Sequence, residues 1–108
     1  MPGSQYPPLS ESTYYILLSL KTPLHGYGIM NNVKSLTNDR LSLAPGTLYG
    51  AISLLLKKNW ISLNSLNDDT RRKEYVLTDA GQEALVSEIK RLKELYYNGL
   101  EMVEGDQG

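Results

Sequence analysis

The sequence predicts a mainly α-helical fold that carries one small β-hairpin and ends in a long helix. Three observations predict it. Three segments before residue 60 place apolar residues at helical spacing. Two short alternating runs flank the turn cluster "NDDT". The last apolar residues recur at nearly heptad intervals.

The first segment, "ESTYYILLSLKT", follows Ser10, a candidate N-cap, and has Glu11 in its first turn. Tyr14 to Leu20 is apolar on nearly all sides, a pattern that a buried helix and a buried strand share. Length and the acidic first turn favour helix, and Pro23 stops it. In "HGYGIMNNVKSLT", Ile29, Val33 and Leu36 share a helical stripe that Tyr27 and Met30 extend, so a helix is expected from Gly26 to Thr37. "NDR" then turns the chain.

The third segment, "APGTLYGAISLLLKKNW", opens with Pro45, well placed at a first helical position where its missing N–H costs nothing. At about 100° per residue, Leu48, Ala51, Ile52 and Leu55 gather on a core face. Gly46, Gly50, Ser53 and Lys57 gather opposite. Asn59 tolerates the left-handed conformation that commonly ends a helix. "WISLNSL" and "RRKEYVLT" alternate and read as the hairpin, with Arg71, Arg72 and Lys73 at its tip and second strand. Thr78 is a candidate N-cap with Asp79 behind it. Leu85, Ile89, Leu92, Tyr96, Leu100 and Val103 then follow at spacings of 4, 3, 4, 4 and 3.

Length and composition bound the function. The 108 residues fit one small domain with a modest core, and 41% apolar content is ordinary for a globular chain. Without cysteine there is neither disulfide nor thiolate metal site, and a reducing cytoplasm is the expected setting. No apolar run is long enough for a bilayer, and "MPGSQYPPLS" lacks the pattern of a secretory signal, so no membrane role is expected. It reads instead as a flexible arm over residues 1–8. The net charge of −1 hides an asymmetry: residues 40–78 hold six basic and three acidic groups, residues 79–108 three and seven. A polyanion would prefer the middle.

A glycine inside a helix costs roughly 1 kcal/mol relative to alanine. The third segment accepts that cost on one face. Small side chains let its backbone approach another surface, its first turn offers N–H groups and a positive dipole end to a phosphate, and Thr47 and Tyr49 flank the face with hydroxyls. A major groove about 12 Å wide admits such a helix. Packing against another protein helix would use the same glycines.

Here the sequence resembles a known family. "LHGYGIM", "LAPGTLYGAISLLLKKNWI" and "RRKEYVLTDAGQEAL" look like the signature segments of PadR transcriptional regulators, in matching order across about residues 9–86. The resemblance implies a winged helix-turn-helix over residues 9–78, with the hairpin as the wing, and a C-terminal dimerisation helix and tail over residues 79–108. The short C-terminal region resembles the subtype with one C-terminal helix. The implied function is a DNA-binding regulator acting as a homodimer, usually a repressor relieved by a small aromatic or drug-like effector, with no cofactor, no metal and no catalytic residue.

Carried over residue by residue, Tyr27 matches a tyrosine expected to touch phosphate, and Pro45, Gly46, Thr47, Leu48 and Tyr49 match the reading-helix start. Thr47 and Tyr49 are assigned to DNA and Leu48 to the core. Gly50, Ser53 and Lys57 continue the DNA face, and Lys34 is a further backbone candidate. Arg71, Arg72 and Lys73 match the basic wing, while Tyr75, Leu77, Thr78 and Gly81 match a structural junction. Two departures stand out: Gly50 occupies a position where proline is common, and Asn59-Trp60 a glycine and an aliphatic residue. Trp60 is expected either under the wing or at a ligand cavity.

Tyr14, Tyr15, Leu18, Leu85, Ile89, Leu92, Tyr96, Tyr97 and Leu100 are assigned to the dimer interface or a pocket within it. His25 is read as a turn residue before the second helix, with pH sensing as its lesser role. Two other functions compete: a winged-helix protein–protein module without DNA binding, and an enzyme. The second is disfavoured, because no nucleophile elbow and no carboxylate pair in an apolar setting is present.

Overall fold

A computed structural model describes residues 6–64 and 73–105. Four helices surround a small antiparallel sheet: α1 (Glu11–Ser19), β1 (Leu24–His25), α2 (Gly26–Leu36), α3 (Pro45–Lys57), β2 (Ile61–Leu63), β3 (Glu74–Leu77) and α4 (Asp79–Glu104). This is a winged helix-turn-helix with a long C-terminal helix. Arg71, Arg72 and the turn "NDDT" lie outside the described residues.

Side chains start three of the helices. Ser10 accepts the Thr13 N–H at 3.1 Å, His25 Nδ1 accepts the Gly28 N–H at 3.0 Å, and Thr78 Oγ1 accepts the Gly81 N–H at 3.0 Å. Each satisfies a donor that the helix itself leaves open. His25, read as a turn residue, is thus the N-cap of α2.

The helix ends follow the same logic. α2 closes where Asn38 (φ 51°) and Asp39 (φ 65°) take the left-handed conformation, and the Asp39 N–H reaches the Lys34 carbonyl at 2.8 Å. The Thr37 hydroxyl secures that turn, donating to the Val33 carbonyl at 2.9 Å and accepting the Leu41 N–H at 3.1 Å. Asn59 ends α3 at φ 65°, and the Trp60 N–H bonds back to the Leu55 carbonyl at 3.1 Å. That is the six-to-one bond of a Schellman cap.

The sheet order is β1-β3-β2. Leu24 pairs with Tyr75 and Ile61 with Leu77, so the hairpin acquires a third strand that the sequence does not announce. The core gathers Ile16, Leu17 and Leu20 from α1, Ile29 and Val33 from α2, Leu48, Ile52 and Leu55 from α3, and Ile61, Tyr75, Ala84 and Leu85 around the sheet and α4. Burying each large apolar side chain is worth about 1.5–3 kcal/mol. Ser19, buried among them, donates to the Tyr15 carbonyl at 2.8 Å and accepts from Asn32 Nδ2 at 2.9 Å, tying α1 to α2.

Two expectations need correction. Leu36, assigned to the apolar stripe of α2, is exposed, because the buried line of the helix runs Ile29, Val33 and Thr37 in steps of four and leaves Leu36 at its edge. Leu85, assigned to the interface seam, is 2% exposed and belongs to the chain's own core. The free part of the seam therefore starts at Ile89.

Candidate nucleic-acid interface

The faces of α3 separate as the periodicity requires. Leu48, Ile52 and Leu55 are buried, whereas Pro45, Gly46, Thr47, Gly50, Ser53 and Lys57 are exposed. A Cβ built on Gly46 or Gly50 would meet nothing within 4 Å. Neither glycine has positive φ. Among the described residues, nothing in the fold requires them.

The start of α3 is equally open. Ala44 occupies the N-cap and contributes no side-chain hydrogen bond. The first intrahelical bond runs from the Leu48 N–H to the Ala44 carbonyl at 2.9 Å, so the N–H groups of Gly46 and Thr47 precede it. Uncapped N–H groups at the positive end of a helix suit a phosphate oxygen.

Tyr49 has a more constrained place than the sequence suggests. Its hydroxyl lies 2.2 Å from where a Gly26 Cβ would stand, so its ring rests on the first residue of α2 while 42% of the residue stays exposed. It also lies near Tyr75, whose hydroxyl burial pushes above the ordinary tyrosine range, with Tyr49 adding to the effect. Tyr49 thus packs the start of α3 against the start of α2 and presents only part of itself outward.

Tyr27 is 66% exposed and stacks on the His25 ring at 6.5 Å. Lys34 is exposed in the last turn of α2, Lys57 is exposed in the last turn of α3, and Lys73 is half-buried just before β3. Lys58 turns away, its Nζ 4.7 Å from the centre of the Trp60 ring. Trp60 itself is buried at the junction of α3 and β2.

The other assigned cluster lies along α1 and α4. Tyr14 meets Tyr15 edge-on at 5.5 Å, and Tyr96 meets Tyr97 at 5.3 Å. Tyr14, Tyr15, Leu18, Leu92 and Leu100 are half-buried, whereas Ile89, Tyr96 and Tyr97 are exposed. With 26 residues, α4 is about 39 Å long at about 1.5 Å per residue, and its C-terminal half bears exposed Leu95, Met102 and Val103.

A cavity of about 260 Å³ opens between α1 and α4, lined by Leu9, Glu11, Tyr14, Tyr15, Glu88, Arg91 and Leu92. Glu88 is buried there and accepts from Arg91 Nε at 2.9 Å and from its terminal nitrogen at 2.7 Å. The Arg91 hydrogen bonds hold the Glu88 carboxyl below the usual carboxylate range against the opposing effect of burial. Burial raises the Tyr14 hydroxyl, and the charges of Tyr15 and Glu88 add to it. Sequence reading missed this buried ion pair; the i,i+3 spacing of Glu88 and Arg91 was its one visible trace.

Among the described residues, no helix is long and apolar enough to cross a membrane. The model of the transcriptional regulator PadR-like family matches residues 16–87. A protein in a Streptomyces fradiae transposon is 36% identical over 73 residues, covering 68% of this chain; the chain spans 20% of that relative's length. A transcriptional regulator from Clostridium thermocellum superposes with TM-score 0.71 at 21% identity, covering 87% of this chain and 93% of that one. A PadR-like transcription factor from Bacteroides fragilis superposes with TM-score 0.67 at 26% identity, covering 85% and 88%. With the family match spanning most of the chain, on a winged helix-turn-helix and a long C-terminal helix, the protein belongs to the PadR-like family of transcriptional regulators.

Proposed function

We propose that the chain is a homodimeric regulator that binds a roughly palindromic duplex and represses transcription until a small aromatic or drug-like molecule releases it. The open, glycine-lined face of α3 carries this reading, because none of the described residues packs against its glycines. In this reading α3 enters the major groove with Gly46, Thr47, Gly50 and Ser53 toward the bases and sugars, and Lys57 toward the backbone. Tyr27 and Lys34 meet phosphates beside it. Arg71, Arg72 and Lys73 place the wing on the neighbouring backbone. Residues 9–78 then form the DNA-reading unit and residues 79–108 the dimerising one.

The face holds no arginine or asparagine to read a base edge bidentately, so part of the specificity comes from duplex shape. The seam of Ile89, Leu92, Tyr96, Tyr97 and Leu100 pairs with a second copy, which sets two α3 helices about one duplex turn apart, near 34 Å. The cavity between α1 and α4 opens beside that seam and is the effector site in this reading.

The test is binding to the promoter of the adjacent genes across a salt series. The wild-type chain is expected to lose affinity steeply with salt as phosphate contacts release counterions. Arg71→Ala and Arg72→Ala should each weaken binding and lower the salt slope by about 1. Absence of salt-sensitive binding at micromolar dimer would overturn this function in favour of a protein–protein module.

A further inference from the structure

Residues 6–8, read from sequence as the end of a flexible arm, lie together with Leu9 across the junction between the DNA-reading unit and α4. The Tyr6 ring meets Trp60 edge-on, with centroids 5.8 Å apart at 73°. The Tyr6 hydroxyl donates to Glu83 of α4 at 3.4 Å, and the Leu9 N–H donates to Glu88 of α4 at 3.4 Å. Between these anchors, Pro7 and Pro8 wall a groove of about 180 Å³ whose other side includes Ala51, Leu54 and Leu55 of α3.

Trp60 is the pivot beneath this segment. Its N–H closes the end of α3, and its carbonyl accepts the Thr78 N–H at 3.0 Å where α4 begins. The same carbonyl lies 2.0 Å from where a Gly81 Cβ would stand, so α4 starts pressed against it. A shift of Trp60 therefore moves α3 relative to α4.

We propose that residues 6–9 form a strap that fixes the angle between α3 and α4, and that docking of this strap sets DNA affinity. Pro7 and Pro8 donate no backbone hydrogen bond, so the segment is held through Tyr6 and Leu9 at its ends. The hydrogen bonds from Tyr6 to Glu83 and from Leu9 to Glu88 are both long at 3.4 Å, and a groove opens beside Pro7 and Pro8. Such a segment opens locally while the core stays folded. The proposal rests on the DNA-binding reading above: in a dimer built on α4, a tilt of α3 misplaces both reading helices relative to successive grooves.

Trp60 is the only tryptophan, so its fluorescence reports the strap directly. The experiment compares full-length wild type, Tyr6→Ala and Tyr6→Phe by acrylamide quenching of Trp60 and by promoter-DNA titration at several salt concentrations. Tyr6→Ala is expected to at least double the quenching constant and to weaken DNA binding at least fivefold, with the salt slope unchanged. Tyr6→Phe keeps the ring contact and should stay within about twofold of wild type in both. Unchanged quenching in Tyr6→Ala would overturn the strap. Affinity within twofold of wild type despite an opened Trp60 would overturn the coupling while leaving the DNA reading intact. A flatter salt slope would overturn it in favour of direct phosphate contact by the arm. A wild-type chain that ignores duplex at every salt would defeat the DNA reading and the coupling with it.

Discussion

The first turns of α3 and α4 each carry a glycine, and the two glycines stand in opposite surroundings. Gly81 in α4 is enclosed: an added Cβ would strike the Trp60 carbonyl at 2.0 Å and Leu77 at 2.9 Å. Thr78 caps that helix, and its hydroxyl also donates to the Asn59 carbonyl at 2.7 Å. Gly46 in α3 faces open space, Gly50 one turn later does too, and Ala44 caps nothing. One helix start is finished within its own chain. The other leaves room and donors unused. The difference separates a glycine that the fold needs from glycines for which the described residues show no internal need.

Substitutions at the two helix starts can break this comparison. The largest effect is expected at Gly81→Ala, where a rigid backbone carbonyl blocks the new methyl; the loss should reach about 2–3 kcal/mol in chemical denaturation. A loss under about half of that would mean α4 can slide away from Trp60. Thr78→Ala should cost about 1 kcal/mol by the same measurement, since it strips the cap from α4. Ala44→Asp should do the reverse at α3, adding a cap worth about 1 kcal/mol in stability. The same change puts a negative charge where a phosphate oxygen is expected, so promoter affinity should fall at least tenfold. A variant that gains stability and keeps its affinity would remove the α3 start from the interface.

The smallest effect concerns Glu88. Its folded pKa is lowered chiefly by Arg91, so its contribution to stability is fully present above the unfolded carboxylate value of about 4.3. That contribution fades as pH falls through the lower folded value. Thermal midpoints should therefore drop on the acid side of pH 4, and Glu88→Gln should flatten that limb. A wild-type limb already as flat as that of Glu88→Gln would mean the pair with Arg91 forms equally in the unfolded chain.

The sequence showed those features whose causes lie close along the chain. Pro45 at the start of α3, Asn59 at its end, and Ser10 and Thr78 as caps were all legible, because each depends on its immediate neighbours. The strand β1 was not: two residues cannot show an alternating period, and Leu24 and His25 become a strand only because β3 lies beside them. Leu36 was misread because an apolar stripe does not say whether the core follows a step of three or of four; here it follows four, from Val33 to the polar but buried Thr37. Leu85 was misread because a heptad count does not say where the chain's own core ends. The anchoring of Tyr6 on Trp60 and Glu83 spans most of the chain, and no local pattern announces it. For the proposed reading face, the glycines were visible from the start; the structure adds that none of the described residues fills the space they leave.

The most direct test replaces both open glycines with a larger polar helix former, Gly46→Gln with Gly50→Gln, and measures unfolding free energy and promoter affinity on the same preparation. The account predicts a chain at least as stable as wild type, gaining up to about 1 kcal/mol from helix propensity at Gly50, that binds its duplex at least tenfold more weakly. Affinity within twofold of wild type would contradict it.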